Sequence, residues 1–494
     1  MVESSKSILL FLLVSLSLVL TYQLWYGEKP TELTADDVYK RVVVETPRSM
    51  EKLITPSRIV YEEDNEISLL LKKDQDTYNQ IWKALSRALQ ELEYDDVFTE
   101  WSSPEKSIME CLTFYFNPAL PIGEDMPWLS RATKIQIDIV KLCRLKTDID
   151  EESEDTEIVD EQLAELEKEE SIAGEDEEKE WWLVLKKDDG DTIRSLSLNE
   201  ELLEGLINLL EDINNDNGNV TYINLTEDLI EDKLERNLDI QAPIYVPNDE
   251  ITMQPLDVEP ESLNDEKLLK TFFVDYNMVR TIEEGDGGLI YTDGGKGLQV
   301  SDQGIEYSDP QKEEGNATAT YREALRNCGR LISYHGGWPD GLRLEDLVFS
   351  SRGRYSYYKT EWIMYHEGYP LFVEKPTRAL FNDLGLFNYT RFLFIVSESL
   401  NSGIDEENSN EHGEANEVVV ASWEEALRKA ISIYDAELSA VKPRLKLETI
   451  ELGYVVTGNI ASPKGQPVWF IQIGGDEFYL SAEDLEQINE EDIF

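Results

Sequence analysis

Only three histidines, His335, His366 and His412, occur among 494 residues. An imidazole beside a carboxylate can do acid–base work, and His366 stands next to Glu367. Its position in strand-like sequence just before Gly368 fits a structural role equally well. His335 precedes Gly336-Gly337, and His412 lies in an acidic loop. No HExxH, CxxC, Walker lysine loop or G-x-S-x-G occurs. The glycine-rich GDGGLIYTDGGKG (285–297) lacks the following helix that gives such loops their anion affinity, and its alternation predicts hairpin turns. DIDEESED (148–155) offers oxygen ligands without the spacing and central glycine of an EF-hand. Tyr355, Tyr357, Tyr358, Trp362 and Tyr365 have the makings of a sugar-binding surface, yet their alternation more simply packs one sheet face and decorates the other. Cys111, Cys143 and Cys328 are scattered and odd in number, which excludes a disulfide framework and a metal cluster. They read as buried free thiols, with a Cys111–Cys143 bridge left open. The expectation is a non-enzymatic protein with no catalytic residue, metal or cofactor.

The most specific stretch is Ile8 to Tyr26, ILLFLLVSLSLVLTYQLWY, which carries no charge and at helical rise is long enough to cross a bilayer core. It ends in Tyr22, Trp25 and Tyr26 rather than in the small residues of a cleavage site, so it reads as a retained single-span anchor and not a signal peptide. Those three aromatics suit the membrane interface. Ser17 and Thr21 lie one turn apart, a spacing that lets a second helix approach and hydrogen-bond; alternatively each hydroxyl bonds its own helix and faces lipid. The flanking charges leave orientation undecided, whereas the short head (1–7) is typical of anchors that leave the bulk of the chain outside.

The net charge is −57, and the segment 148–180 alone holds 18 acidic and 2 basic residues. Such a surface repels phosphates and anionic headgroups, which argues against nucleic acid or a charged membrane surface as partner. The segment is too charged to bury a core and reads as a surface insertion.

The remaining elements set the architecture. RIVYE (58–62) alternates as a strand, and 75–92 is an amphipathic helix whose apolar stripe is Tyr78, Ile81, Trp82, Leu85, Ala88, Leu89 and Leu92. Strands are expected at 109–116, 135–145 and 181–187, and a helix at 199–214. The C-terminal half contains a repeat. Helix 320–334 precedes LRLEDLVFSS (342–351), YSYYKTEWIMYHEG (355–368) and YPLFV (369–373). Helix 422–438 precedes LKLETIELGYVV (445–456), PVWFIQIGG (467–475) and EFYLS (477–481). RLED answers KLET, and Trp362 answers Trp469. The expected fold class is α+β: a head (1–7), a transmembrane helix (8–26) and an N-terminal α+β domain (28–245) with the insertion 148–180. A central domain (250–375) and a similar C-terminal one (376–494), each with a helix on a small antiparallel sheet, complete it.

KSILLFLLVSLSLVLTYQLW, then TPSRIVYE, the helix bearing Trp82 and the tandem C-terminal units together resemble the YycH (also called WalH) family. These are membrane-anchored regulators of the WalK/WalR two-component system of Gram-positive bacteria. The resemblance implies a cytoplasmic N-terminus and a three-domain extracellular body whose last two domains are alike. It implies a YycI-like partner of related fold, a complex with the WalK-like sensor histidine kinase, and an influence on cell-wall metabolism genes. It adds weight to Ser17 and Thr21 as transmembrane contacts, and it leaves open pairing into a homo- or hetero-dimer. The acidic stretches 148–180 and 403–417 look like additions to the family pattern. A different reading is an anchored extracellular module that binds cell-wall fragments or peptides in a cleft between domains; an aromatic-lined pocket near Trp362 or Trp469 would favour it.

Overall fold

The computed structural model describes residues 53–494 apart from 93–97, 101–107, 121–127, 130–135, 146–180, 188–191, 215–219, 397–416, 438–444 and a few shorter stretches. The anchor 8–26, with Ser17, Thr21, Tyr22, Trp25 and Tyr26, lies outside the described residues. So do the insertion 148–180, His335 and His412. Among the described residues no helix is long and apolar enough to cross a membrane.

Pro56 bars helix, and the β-branched and aromatic run after it forms β1 (Arg58–Glu63), burying Ile59, Val60 and Tyr61. With β2 (Glu66–Lys72), β3 (Ile108–Leu120), β4 (Ile137–Leu145), β5 (Trp181–Lys186) and β6 (Thr192–Leu198) it builds an antiparallel sheet of order β2-β1-β3-β4-β5-β6. Helix α1 (Asp76–Gln90) covers it with the stripe read from sequence, burying Tyr78, Ile81, Trp82, Leu85, Ala88 and Leu89. The Trp82 ring meets Phe114 and Phe116, with centroids 6.2 and 5.5 Å away. Helix α2 (Glu200–Asn214) packs beside α1. Cys111 and Cys143 sit directly opposite each other on β3 and β4 and form a disulfide, so the free-thiol reading holds for Cys328 alone.

A connecting stretch follows: β7 (Tyr222–Asn224), α3 (Glu227–Leu234), β8 (Leu238–Ile240), β9 (Tyr245–Pro247), β10 (Thr252–Met253), β11 (Leu256–Pro260) and α4 (Asp265–Phe272). Thr226 caps α3 by accepting the Leu229 N–H at 3.2 Å. A hairpin series then starts the larger sheet: β12 (Arg280–Glu283), β13 (Leu289–Thr292), β14 (Gly297–Val300) and β15 (Gly304–Ser308). The glycine-rich stretch closes the β13–β14 hairpin. Asp293 accepts the Gly295 and Lys296 N–H groups, the donors a bound phosphate would need.

The two helix-plus-meander units come next. Helix α5 (Tyr321–Tyr334) precedes β16 (Leu342–Arg352), β17 (Tyr355–His366) and β18 (Tyr369–Phe372). After β19 (Thr377–Asn382), β20 (Gly385–Phe392), β21 (Phe394–Val396) and β22 (Val418–Val419), helix α6 (Trp423–Glu437) precedes β23 (Leu445–Asn459), β24 (Ser462–Ile473) and β25 (Asp476–Ser481). The short β26 (Gln487–Ile488) ends the sheet. RLED and KLET carry the same irregularity: a β-bulge skips Glu345 between Leu344 and Asp346, and another skips Glu448 between Leu447 and Thr449.

The tryptophans do not share that register. Trp362 lies opposite Leu344 at the bulge, whereas Trp469 lies opposite Leu452, five residues beyond Leu447. By pairing, Tyr358 is the counterpart of Trp469. Counting from the following glycine turn hides this, because the two hairpins differ in length. Both indoles are nonetheless buried on the helix side, at 1% exposure each. Trp362 donates to Cys328 Sγ and Thr360 Oγ1 at 3.2 Å, and Trp469 to the Ala421 carbonyl at 2.9 Å.

Strand pairing also crosses the division drawn at 375/376. β19 and β20, C-terminal to it, pair with β17 and β15. β11, N-terminal to it, pairs with β24 and β21. β18 runs parallel to β23 and joins the two meanders into one 16-stranded sheet. Gly453 permits that joint: a Cβ there would fall 2.5 Å from Phe372 Cε2 and 2.7 Å from the Pro370 carbonyl.

Candidate binding cleft

Where the smaller sheet meets the two meanders, the chain leaves a cleft of about 930 Å³. This is the upper part of the size range of small-molecule sites. β1 and β2 bring Arg58 and Lys72, β3 and β9 bring Tyr115 and Tyr245, and β17 brings Tyr365. The C-terminal meander contributes Glu448, Glu451, Trp469, Phe470 and Tyr479. Phe372, Phe470 and Tyr479 form a three-ring wall, with centroids 4.8 to 5.7 Å apart.

The two cations at the rim are already engaged by aromatic faces. The Arg58 guanidinium lies 4.7 Å from the Tyr115 ring and 5.1 Å from that of Tyr245, and its Nη2 donates to the Pro243 carbonyl at 2.8 Å. The Tyr115 and Tyr245 hydroxyls share a hydrogen bond of 2.8 Å. The Lys72 ammonium sits 4.7 Å over Tyr369.

Six acidic residues line the cleft with these two cations: Asp138, Glu345, Glu374, Glu448, Glu451 and Glu477. Some are occupied. The bulged Glu345 accepts from the fully buried Lys73 at 3.0 Å and from the Tyr365 hydroxyl at 2.8 Å, and Lys73 also donates to the Leu344 carbonyl at 2.9 Å. The bulged Glu448 accepts the Gly474 N–H at 2.9 Å, tying β23 to the β24–β25 turn. Glu451 makes no hydrogen bond or ion pair among the described residues. Burial raises its carboxyl above the ordinary range; Lys72 pulls it partly back, and Glu345 pushes it further up. Burial likewise raises the Tyr365 and Tyr245 phenols, with neighbouring Glu345 and Tyr115 adding to the effect, so neither ring hydroxyl is a base at neutral pH.

The arrangement is suited to binding. Among the described residues no cluster of His, Cys, Asp and Glu is placed to hold a metal. His366 ends β17 at the turn through Glu367 and Gly368 and does not line the cleft. The Cys328 thiol is fully buried, and burial pushes it up to about 12 against the opposing hydrogen bonds of Thr360 and Trp362, which leaves it unreactive. Of the aromatics singled out from sequence, Tyr365 lines the cleft and Trp469 borders it. Arg58, Lys72, Tyr245 and Glu451 were not legible as site residues. They come from four separate elements, and only the doubled bulge glutamate left a trace in RLED and KLET.

Residues 3–113 match the family model of the YycH protein, N-terminal domain. The chain is similar in structure to the crystal structure of YycH from Bacillus subtilis, with a TM-score of 0.53 at 12% identity, over 89% of this chain and 99% of that one. This likeness establishes a shared fold. An uncharacterized protein from Eubacterium rectale ATCC 33656 is similar over 51% of this chain and 90% of its own, at 10% identity and a TM-score of 0.35, too low to carry an argument. No curated protein matches the sequence.

Proposed function

Because residues 3–113 match the YycH N-terminal domain model and the fold is shared with a YycH structure, we propose that the chain is a YycH-type protein, a non-enzymatic regulatory subunit of a two-component system. In this reading residues 8–26 anchor it in the cell membrane with the N-terminus cytoplasmic and the body outside. It acts with a YycI-like partner on a WalK-like sensor histidine kinase, and so on cell-wall metabolism. The observation that carries the reading is the extent of the family match, which starts at residue 3 and runs through the apolar stretch into β3. The Cys111–Cys143 disulfide supports an extracytoplasmic body, because such bonds persist in oxidising surroundings.

Mechanistically, the span packs through Ser17 and Thr21 against kinase transmembrane helices, with Tyr22, Trp25 and Tyr26 at the interface, while the body holds the partner. Association changes kinase output only if the contacts differ between the kinase's two states. The test replaces Ile8–Tyr26 with an unrelated span of equal length. Kinase-dependent transcription should lose its dependence on this protein while the amount of anchored body stays constant. Unchanged output would exclude helix packing as the route. Crosslinking from membranes, with the chain tagged at its C-terminus, should recover the kinase and a smaller single-span protein.

The cleft favours a second reading, an anchored module that binds a ligand such as a cell-wall fragment or peptide. Its size and its border of Trp469 and Phe470 are the observations behind it.

A further inference from the structure

We infer that the cleft takes a ligand carrying primary alkylammonium groups, seated between the Glu451 carboxylate and the aromatic wall of Phe372, Phe470 and Tyr479. The inference rests on reading the cleft as a ligand site and is independent of how the protein meets a kinase.

Three observations converge on it. The Glu451 side chain projects from the middle of β23 into the cleft without a hydrogen bond or close ion pair among the described residues, so its desolvation is offset only in part, by the more distant charges of Lys72, Arg58 and Lys73. The cleft holds six carboxylates and two cations, and Arg58 is no free counter-ion, being stacked on Tyr115 and Tyr245 and bonded to Pro243. Other aromatic faces in and beside the cleft already seat ammonium groups: Lys73 lies 5.1 Å over Tyr365, which lines the cleft, and Lys72 lies 4.7 Å over Tyr369 beside it. An entering ammonium would gain both kinds of contact, a carboxylate and a ring face. The volume of about 930 Å³ accommodates an extended chain bearing several amines rather than a single ion. Free polyamines and lysine side chains of a peptide share this chemistry.

The experiment titrates the full-length chain in detergent by calorimetry with spermidine and, separately, with a blocked trilysine peptide and a blocked trialanine peptide. At matched ionic strength, one or both amines should bind with 1:1 stoichiometry. Binding should weaken at least tenfold in a Glu448→Gln, Glu451→Gln double variant. It should stay unchanged in Glu204→Gln, Glu231→Gln, which removes the same charge from exposed helix positions outside the cleft. Preference for spermidine assigns a polyamine, and preference for trilysine assigns a basic peptide. Equal weakening in both double variants would reduce the effect to bulk acidity and overturn the inference. Binding of trialanine alone would keep the cleft as a ligand site and overturn the ammonium chemistry. Absence of any binding would remove both. Melting curves check that the glutamine variants, which are isosteric, remain folded.

Discussion

β16 and β23 begin alike and end differently. Each opens with a leucine, a bulged glutamate and a return to register, Leu344-Glu345-Asp346 and Leu447-Glu448-Thr449. Three residues past the bulge stand Val348 in one and Glu451 in the other, and two further on stand Ser350 and Gly453. Among the described residues β16 pairs only with β17, so its other edge carries no strand partner, and Val348 is 37% exposed. β23 has neighbours on both sides, β24 along one and the parallel β18 and β8 along the other. An interior position demands a residue with no Cβ where Phe372 crosses. It also leaves Glu451 facing the cleft. The same local sequence pattern thus becomes an edge in one unit and a joint in the other, and what differs is the pairing partner. The cleft belongs to the joint.

Breaking the joint should have the largest effect. Gly453→Val drives a branched side chain into Phe372 and Pro370 and should lower stability by about 3 kcal/mol, read as a fall in the urea midpoint. Ser350→Val, at the matching edge position, should change it by less than about 0.5 kcal/mol. An equal loss at both sites would erase the distinction between edge and joint.

The two bulge glutamates separate next. Lys73→Met leaves Glu345 and the Leu344 carbonyl without their ammonium donor and removes the cation from the Tyr365 ring, while the Tyr365 hydroxyl keeps Glu345. Because Glu345 keeps 33% exposure, the expected loss is about 2 kcal/mol rather than the value for a fully buried pair. Glu448→Gln retains an acceptor for the Gly474 N–H and should cost below about 0.5 kcal/mol. Chemical denaturation of the two variants side by side measures the contrast.

The smallest effect has the opposite sign. The Glu451 carboxyl is raised in the folded chain, so the native state holds its proton more tightly than the unfolded state does. Stability is therefore favoured below the ordinary carboxylate range and declines as pH rises from about 4.5 through the raised folded value. Glu451→Gln removes this term. The variant should match the parent in acid and become the more stable of the two towards neutral pH. Asp346 is raised in the same direction by burial, so only the difference between parent and variant isolates Glu451. Parallel pH curves for the two proteins would show that Glu451 carries no such penalty.

Local signals in the sequence were strong wherever one face of an element is buried. The stripe of α1 was read residue for residue because Tyr78, Ile81, Trp82, Leu85, Ala88 and Leu89 share a helical face. The three strands after each long helix were read from alternation, and the hairpin at Asp293 from its glycines. Pairing at long range was not legible. β11 reaches β24 across some two hundred residues, and β19 and β20 return to β17 and β15, yet nothing in their own alternation names a partner. The tryptophan correspondence slipped for a related reason: composition repeats with the order of elements, while register follows hairpin length. The cleft was largely invisible because its residues come from elements far apart in the chain. A lone Glu451 in a strongly acidic sequence carries no mark that its neighbours will exclude water.

The end of β4 lies against the start of β5, with Arg144 opposite Trp181. The chain therefore leaves the sheet and re-enters it one strand spacing apart, whatever is threaded between. Closing such a loop costs an entropy that grows only with the logarithm of its length, about 0.6 kcal/mol for each doubling. This junction is a port: evolution can lengthen or trim the sequence there, and an experimenter can graft a fluorescent reporter into it, with the paired strands setting the register on either side.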